Sequence, residues 1–249
     1  MITTATEMKN NFGQYLKQVT EENIEVIITK NNQRVARLVP YITDIEKYMS
    51  LNDNVAENDY KYDKRTVSYD EFMEIYENSS SRMEYINGKI YLLASPSLNH
   101  QVLVGDLHIK FNQFFKDRKC LPFVAPFDIH FHKIDIAVPD VMQPDIIVLC
   151  DIEDNLNEKN KYIGTPRLTL EILSGSTRSK DMVYKLNTFM MSGVSEYWII
   201  DSKRKSVMIY VFKDHKIEDF THFHSGEVAT STVFEGLKVD VEELFSNLY

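Results

Sequence analysis

Asp145, Glu171 and Lys185 are the residues whose types and spacing could do chemistry in this chain. Asp145 stands in QPDIIVLC, after Pro144 and directly before an apolar run. Glu171 interrupts a second apolar run, RLTLEILS, and Lys185 follows fourteen residues later on a helix-like stretch. A phosphodiester resists hydrolysis because its anionic oxygens repel a nucleophile. A divalent metal neutralises that charge, orients a water and lowers its pKa. Magnesium takes hard oxygen ligands and usually needs only one or two protein carboxylates. Asp145 and Glu171, projecting from neighbouring strands, would supply them, with the main-chain carbonyl of Ile172 as a third protein ligand. Lys185 would polarise the scissile phosphate or the attacking water. The expected cofactor is Mg2+, with Mn2+ able to replace it.

Each residue also has a plainer reading. Glu171 lies among Leu168, Leu170, Ile172 and Leu173, where a charge is costly unless it is paired or binds metal; this favours function. Asp181 and Lys185 are four apart and share a helix face. Taken alone, that spacing reads as an exposed ion pair, worth about 0.3–0.5 kcal/mol. Of two Pro-Asp steps, only Asp145 leads straight into an apolar strand; Asp140 is followed by a loop-like Val-Met-Gln-Pro and is the minor candidate. His100 begins a helix after a turn, as a phosphate contact or proton-transfer helper, or as a capping or surface residue. Arg178, beside a Ser/Thr-rich turn at a helix start, could bind phosphate or be a solvated surface arginine. His130 and His132 share a strand face, but with no cysteine or third histidine beside them zinc is not expected.

The elements that must position these groups are legible in outline. Thr6 can cap a helix with Met8, Phe12, Leu16 and Val19 as its apolar positions. Ile24 to Thr29 and Arg34 to Pro40 read as a hairpin around Lys30 to Gln33, followed by a short helix over 43–51. Residues 52–67 are polar and aperiodic, a linker. Ser68-x-x-Glu71 is a capping box for a helix with Phe72, Ile75 and Tyr76 on its apolar face. Asn87-Gly88 between β-rich runs predicts a type I′ hairpin. A long helix is expected over 99–119, strands over 123–131, 145–150 and 167–174, and a helix over 179–192 that stops at Gly193. EYWIIDS and SVMIYVF pair as strands, and the tail ends in a short helix. Helices interleaved with apolar strands give an α/β or α+β fold with a mixed sheet.

Composition narrows the class. The 249 residues are 43% hydrophobic and 26% charged, an ordinary balance for a folded protein. No run approaches the length of a membrane span, and MITTATEMKNNFG lacks the build of a secretory signal. Cys120 and Cys150 are too few for a disulfide framework or a zinc site, so a reducing cytoplasm is the expected location. The net charge of −9 argues against a generally sticky nucleic-acid binder. It does not exclude a nuclease, whose metal site is acidic until the metal arrives. The acidity is concentrated: residues 51–78 hold eight acids against three bases, whereas residues 1–50 balance six against six.

The order QPDIIVL, LTLEILSGSTRSKD, the following lysine and GVSEYWIID resembles the Uma-type endonucleases of the PD-(D/E)XK, restriction-endonuclease-like superfamily. MEYINGKIY and the Ser95-Pro96-Ser97 turn with His100 nearby extend the resemblance over residues 68–249. It implies a mixed β-sheet flanked by helices, with Asp145 and Glu171 as metal ligands and Glu84 as a further acidic site residue. The superfamily's lysine stands two residues after the second acid, where this chain has Leu173; the resemblance implies a relocated lysine at Lys185. Related sequences read Ser-Pro-Ser where this chain has Ser174-Gly175-Ser176. Residues 1–51, with ATEMKNNFGQYL and IEVIITKNNQRVARLVPY, resemble the N-terminal module of Phd/YefM-type antitoxins, a small α+β unit. Such modules dimerise and bind operator DNA. Lys9, Asn10 and Asn11 are the candidate phosphate contacts, Arg34 and Arg37 weaker ones. The leading expectation is a Mg2+-dependent, homodimeric DNA endonuclease. The alternatives are an antitoxin-like DNA-binding regulator with a dormant nuclease fold, and a fused toxin–antitoxin restrained by its acidic linker.

Overall fold

A computed structural model describes residues 1–22, 26–31, 33–38, 66–79, 81–173 and 180–249. The helix expected over 43–51, most of the linker, the Ser174-Gly175-Ser176 turn and Arg178 lie outside the described residues. The chain divides into two units, Met1–Val55 and Ala56–Tyr249.

In the first unit, β1 (Ile2–Thr4) runs parallel to β2 (Val26–Lys30), which pairs antiparallel with β3 (Gln33–Leu38). Two helices replace the single one expected: α1 (Ala5–Asn10) and α2 (Phe12–Glu22), divided at Asn11. The cap is Thr4, whose hydroxyl accepts from the Glu7 amide at 3.2 Å, rather than Thr6. The break changes which face is buried: Met8, Tyr15, Val19 and Val26 form the small core, while Phe12 and Leu16 stay exposed. Lys9, Asn10, Asn11, Arg34 and Arg37 are all exposed.

The second unit is built on two sheets. The larger has the order β13-β12-β11-β10-β9-β6, formed by β6 (Leu121–Val124), β9 (Ile146–Leu149), β10 (Leu168–Ile172), β11 (Glu196–Asp201), β12 (Ser206–Lys213) and β13 (Lys216–Phe223). It is mixed: β10 and β11 are parallel, the other pairs antiparallel. The smaller has the order β5-β4-β8-β7, formed by β4 (Met83–Ile86), β5 (Lys89–Leu92), β7 (Ile129–Phe131) and β8 (Asp140–Met142). Asn87 and Gly88 both have positive φ (49° and 79°), the geometry of a type I′ turn joining β4 to β5. Ser68 caps α3 (Tyr69–Glu77), accepting from the Glu71 amide. Val67, placed in the linker by its sequence, is buried and its amide donates to the Gly88 carbonyl, so the second unit begins before Ser68.

The main core lies on one face of the larger sheet. Leu103, Leu107, Phe111 and Phe115 repeat every four residues along α4 (Leu98–Phe115) and pack against Ile146, Val148, Leu168, Leu170, Trp198 and Ile200. Each such side chain contributes about 1.5–3 kcal/mol when fully buried. The alternate residues Tyr197 and Ile199 face the other side and are also fully buried, so the sheet is covered on both faces. The small sheet of β14 (Val228–Thr230) and β15 (Lys238–Asp240), with α6 (Val241–Leu244), adds Ala229, Val239 and Leu244 to this core. Among the described residues no helix is long and apolar enough to cross a membrane.

Two expectations are corrected here, and one bond is added that the sequence did not announce. The run 123–131 is not one strand: it splits at Ala125–Pro126 into β6 and β7, which belong to different sheets. Asp140 is not in a loop but opens β8, and is buried. Cys120 and Cys150, which flank the paired β6 and β9, form a disulfide across thirty residues of chain. Closing a loop of that length stabilises by about 3–4 kcal/mol in the chain-entropy account. Urea unfolding with and without a reductant should therefore differ by about 2–4 kcal/mol; coincident curves would show that the bond does not support the fold.

Candidate active site

The corner Gln143-Pro144-Asp145 carries the chain from the smaller sheet to the larger, and the site forms there. On one side, the Gln143 amide donates to Glu84 Oε1 on β4 at 3.2 Å. On the other, the Asp145 carboxylate accepts from the Ile172 amide at the end of β10, at 2.8 Å. The β9–β10 ladder ends with Ile146 opposite Leu170, so Asp145 and Glu171 are each one residue past its last pair, at the same end of the two strands. The two side chains are close enough for the charge of Asp145 to act on the Glu171 carboxyl. The Gln143 side chain holds the corner, donating to Asp128 Oδ1 at 2.8 Å and accepting from Arg82 Nε at 2.9 Å.

His100 reaches Asp145 from α4. Ser97 caps that helix and accepts from the His100 amide, which fixes His100 in the first turn. Its Nε2 lies 3.1 Å from Asp145 Oδ2, as the donor a carboxylate requires. Both donors to Asp145, His100 and Ile172, meet Oδ2. Among the described residues Oδ1 has no protein donor; it is a hard carboxylate oxygen on a half-buried side chain.

Lys185 is brought in by a π-helical turn, Lys180–Lys185, which continues as α5 (Leu186–Met191). Such turns are rare and concentrate at functional sites. Its ammonium lies 2.5 Å from Glu171 Oε1, 3.0 Å from Glu84 Oε1 and 3.6 Å from Asp181 Oδ1. All four side chains are at most 5% exposed. The Asp181–Lys185 pair is thus no surface ion pair: the π turn rotates both residues into the interior. Tyr197 steadies the turn, its hydroxyl donating to the Asp181 carbonyl at 3.1 Å.

The electrostatics follow from this crowding. Burial pushes the Glu171 carboxyl up; Lys185 opposes that, while Asp145, Asp181 and Glu84 add to it, and the result lies well above the usual carboxylate range. Burial works against the charge on Lys185, but Glu171, Glu84 and Asp181 outweigh it and hold its pKa well above that of an ordinary lysine. With four carboxylates against one ammonium, the cluster keeps an excess of negative charge that a divalent cation would offset. Among the described residues, no trio of His, Cys, Asp or Glu side chains is gathered closely enough to hold a metal ion as the site stands. The ammonium is what stands between the acids.

The structure therefore brings together Asp145, Glu171, Glu84, His100 and Lys185. Ile172 is present through its amide, bonded to Asp145. Asp140 is elsewhere, paired with Lys133 at 2.7 Å. His130 bonds the Tyr69 hydroxyl at 2.9 Å, and His132 is exposed. Sequence reasoning missed Asp181, although its spacing from Lys185 was the available signal, and it missed Gln143, the neighbour of Pro144-Asp145.

Residues 69–242 match the model of the Uma2 family, described as "Putative restriction endonuclease". Residues 1–59 match the model described as "Antitoxin Phd_YefM, type II toxin-antitoxin system". The uncharacterized protein slr1290 of Synechocystis sp. (strain ATCC 27184 / PCC 6803 / Kazusa) is 26% identical over 155 residues, covering 61% of this chain and 76% of its own. The crystal structure of "a putative nuclease belonging to DUF820" from Anabaena variabilis ATCC 29413 superposes with a TM-score of 0.57 at 22% identity, covering 72% of this chain and 98% of that one; the likeness is one of fold. Because the matched span takes in both sheets and every acid gathered around Lys185, the chain belongs to the Uma2 family.

Proposed function

We propose that the chain is a divalent-cation-dependent endonuclease acting on DNA, with Asp145, Glu171 and Glu84 holding Mg2+ or Mn2+. The observation that carries this reading is the meeting of Asp145 and Glu171 at one end of β9 and β10, where Asp145 accepts from the Ile172 amide and Lys185 is buried against Glu171. The donor set suits the ion: hard carboxylate oxygens, with no donor to Asp145 Oδ1 among the described residues. The Ile172 carbonyl is proposed as a further ligand. When bound, the ion supplies charge neutralisation and a water of lowered pKa.

The chain's own groups have distinct tasks in this reading. His100 and the Ile172 amide orient Asp145 by holding Oδ2. Lys185 brings the positive charge that the scissile phosphate needs. In the first unit, Lys9 and Asn10 are exposed and are proposed to meet phosphates; Arg178 of the second unit, beyond the described residues, is proposed for the same role. Phe12 and Leu16, exposed on α2, suit a homodimer, which would give one site for each strand of a duplex. The antitoxin-like match at residues 1–59 favours the second reading, a DNA-binding regulator with a dormant nuclease fold.

Supercoiled plasmid incubated with the protein and Mg2+ or Mn2+ should be nicked or linearised, and a chelator should stop the reaction. If neither ion supports cleavage while the protein still shifts promoter DNA in a gel, the regulator replaces the nuclease.

A further inference from the structure

The acids around Lys185 mark a cation's place by already surrounding a cation. Glu171, Glu84 and Asp181 approach Nζ at 2.5, 3.0 and 3.6 Å from three different elements: β10, β4 and the π turn. None of these side chains is more than 5% exposed, so water does little to screen them. Carboxylate oxygens that converge on an ammonium are also the oxygens a divalent cation would take. Two cations cannot share so small a buried space, because their repulsion at such distances is strong away from water. A lysine can yield, since its ammonium rides on a flexible four-carbon stem.

We propose that Lys185 is a displaceable counter-cation. Its ammonium holds the place between Glu84, Glu171 and Asp181 in the metal-free protein, and a divalent cation entering there must expel it. Asp181 is then part of the cation's surroundings, a role that no motif in the sequence assigns. The inference rests on the metal-dependent reading above. It adds that metal and lysine compete, so Lys185 weakens metal binding although it serves the reaction.

Mn2+ titration by calorimetry, without nucleic acid, tests this on the full chain and on Lys185→Met, which keeps the unbranched stem but for its terminal atom and removes its charge. Lys185→Met should bind Mn2+ about tenfold more tightly or better. Lys185→Met/Asp181→Asn should lose part of that gain. If Lys185→Met folds only when Mn2+ is present, the rescue supports the same conclusion. If the parent binds Mn2+ and Lys185→Met binds it equally or less well, displacement is overturned while the metal site stands. If neither protein binds Mn2+, and neither gains thermal stability from it, the metal-dependent reading fails and the inference fails with it.

Discussion

Asp145→Asn is expected to lower plasmid cleavage at least about a hundredfold while leaving the fold as stable as the parent, or more so. A hundredfold is about 2.7 kcal/mol of transition-state stabilisation, the lower end of what one preorganised electrostatic group supplies. The amide keeps the shape of the carboxylate, and its oxygen can still accept from the Ile172 amide and His100. What it loses is the charge at Oδ1 that a hard cation requires. Stability moves the other way because Asp145 and Glu171 are acids held close together, and removing one charge relieves their repulsion. Asp145 is one of the groups that push the Glu171 carboxyl up. Cleavage in Mn2+ and urea unfolding of the same preparation give both readouts. Retained cleavage would remove Asp145 from the chemistry. A loss of several kcal/mol in stability would make it a scaffold residue.

Much of this arrangement is legible in the sequence because short-range signals specify it. The capping box at Ser68, the Asn87-Gly88 turn and the apolar runs beginning at Ile146 and Leu168 each act within a few residues, and each is found where it is expected. The charge of Glu171 amid apolar neighbours marks a residue that had to find a partner, and it has one in Lys185. What could not be read depends on contacts distant in sequence. Val26 and Tyr15 decide that α2 buries Val19 rather than Phe12 or Leu16, and helical periodicity contains both choices. β13 was not expected: its residues are largely exposed and polar, and its hairpin turn is Asp214-His215, with both φ positive and no glycine to announce it.

The same limit explains Asp181 and Asp140. The spacing of Asp181 from Lys185 is correct for an α-helical surface pair, but a π turn places both in the interior. Nothing within a few residues distinguishes the two cases. Asp140 reads as a loop residue because Pro144 follows closely, yet Val141 pairs with both Tyr85 and His130 and closes the smaller sheet. The two Pro-Asp steps therefore have different work to do, one at the site and one in the frame.

That difference can be measured. Asp140→Ala is expected to cost about 3–5 kcal/mol of stability, the usual loss when one partner of a buried ion pair is removed. The carboxylate accepts three hydrogen bonds: from the Asn87 amide on Oδ1 at 2.8 Å, and from Lys133 Nζ and the Thr188 hydroxyl on Oδ2 at 2.7 and 2.6 Å; Lys133 also donates to Asn87 Oδ1 at 2.6 Å. Both charged side chains are only 2% exposed, so alanine would leave the Lys133 ammonium uncompensated in the interior. It would also release the β4–β5 turn through Asn87 and α5 through Thr188. Lys133→Met/Asp140→Asn provides the control: it removes both charges, keeps an acceptor oxygen for the Asn87 amide and turns an NH2 donor toward the Thr188 hydroxyl, which can accept. The double variant should recover much of the loss, since a buried pair replaced by well-packed neutral groups is often no less stable. At temperatures where Asp140→Ala remains folded, cleavage should fall far less than in Asp145→Asn, because Asp140 does not touch the acids around Lys185. An unfolding free energy within about 1 kcal/mol of the parent would show that the frame does not depend on this pair.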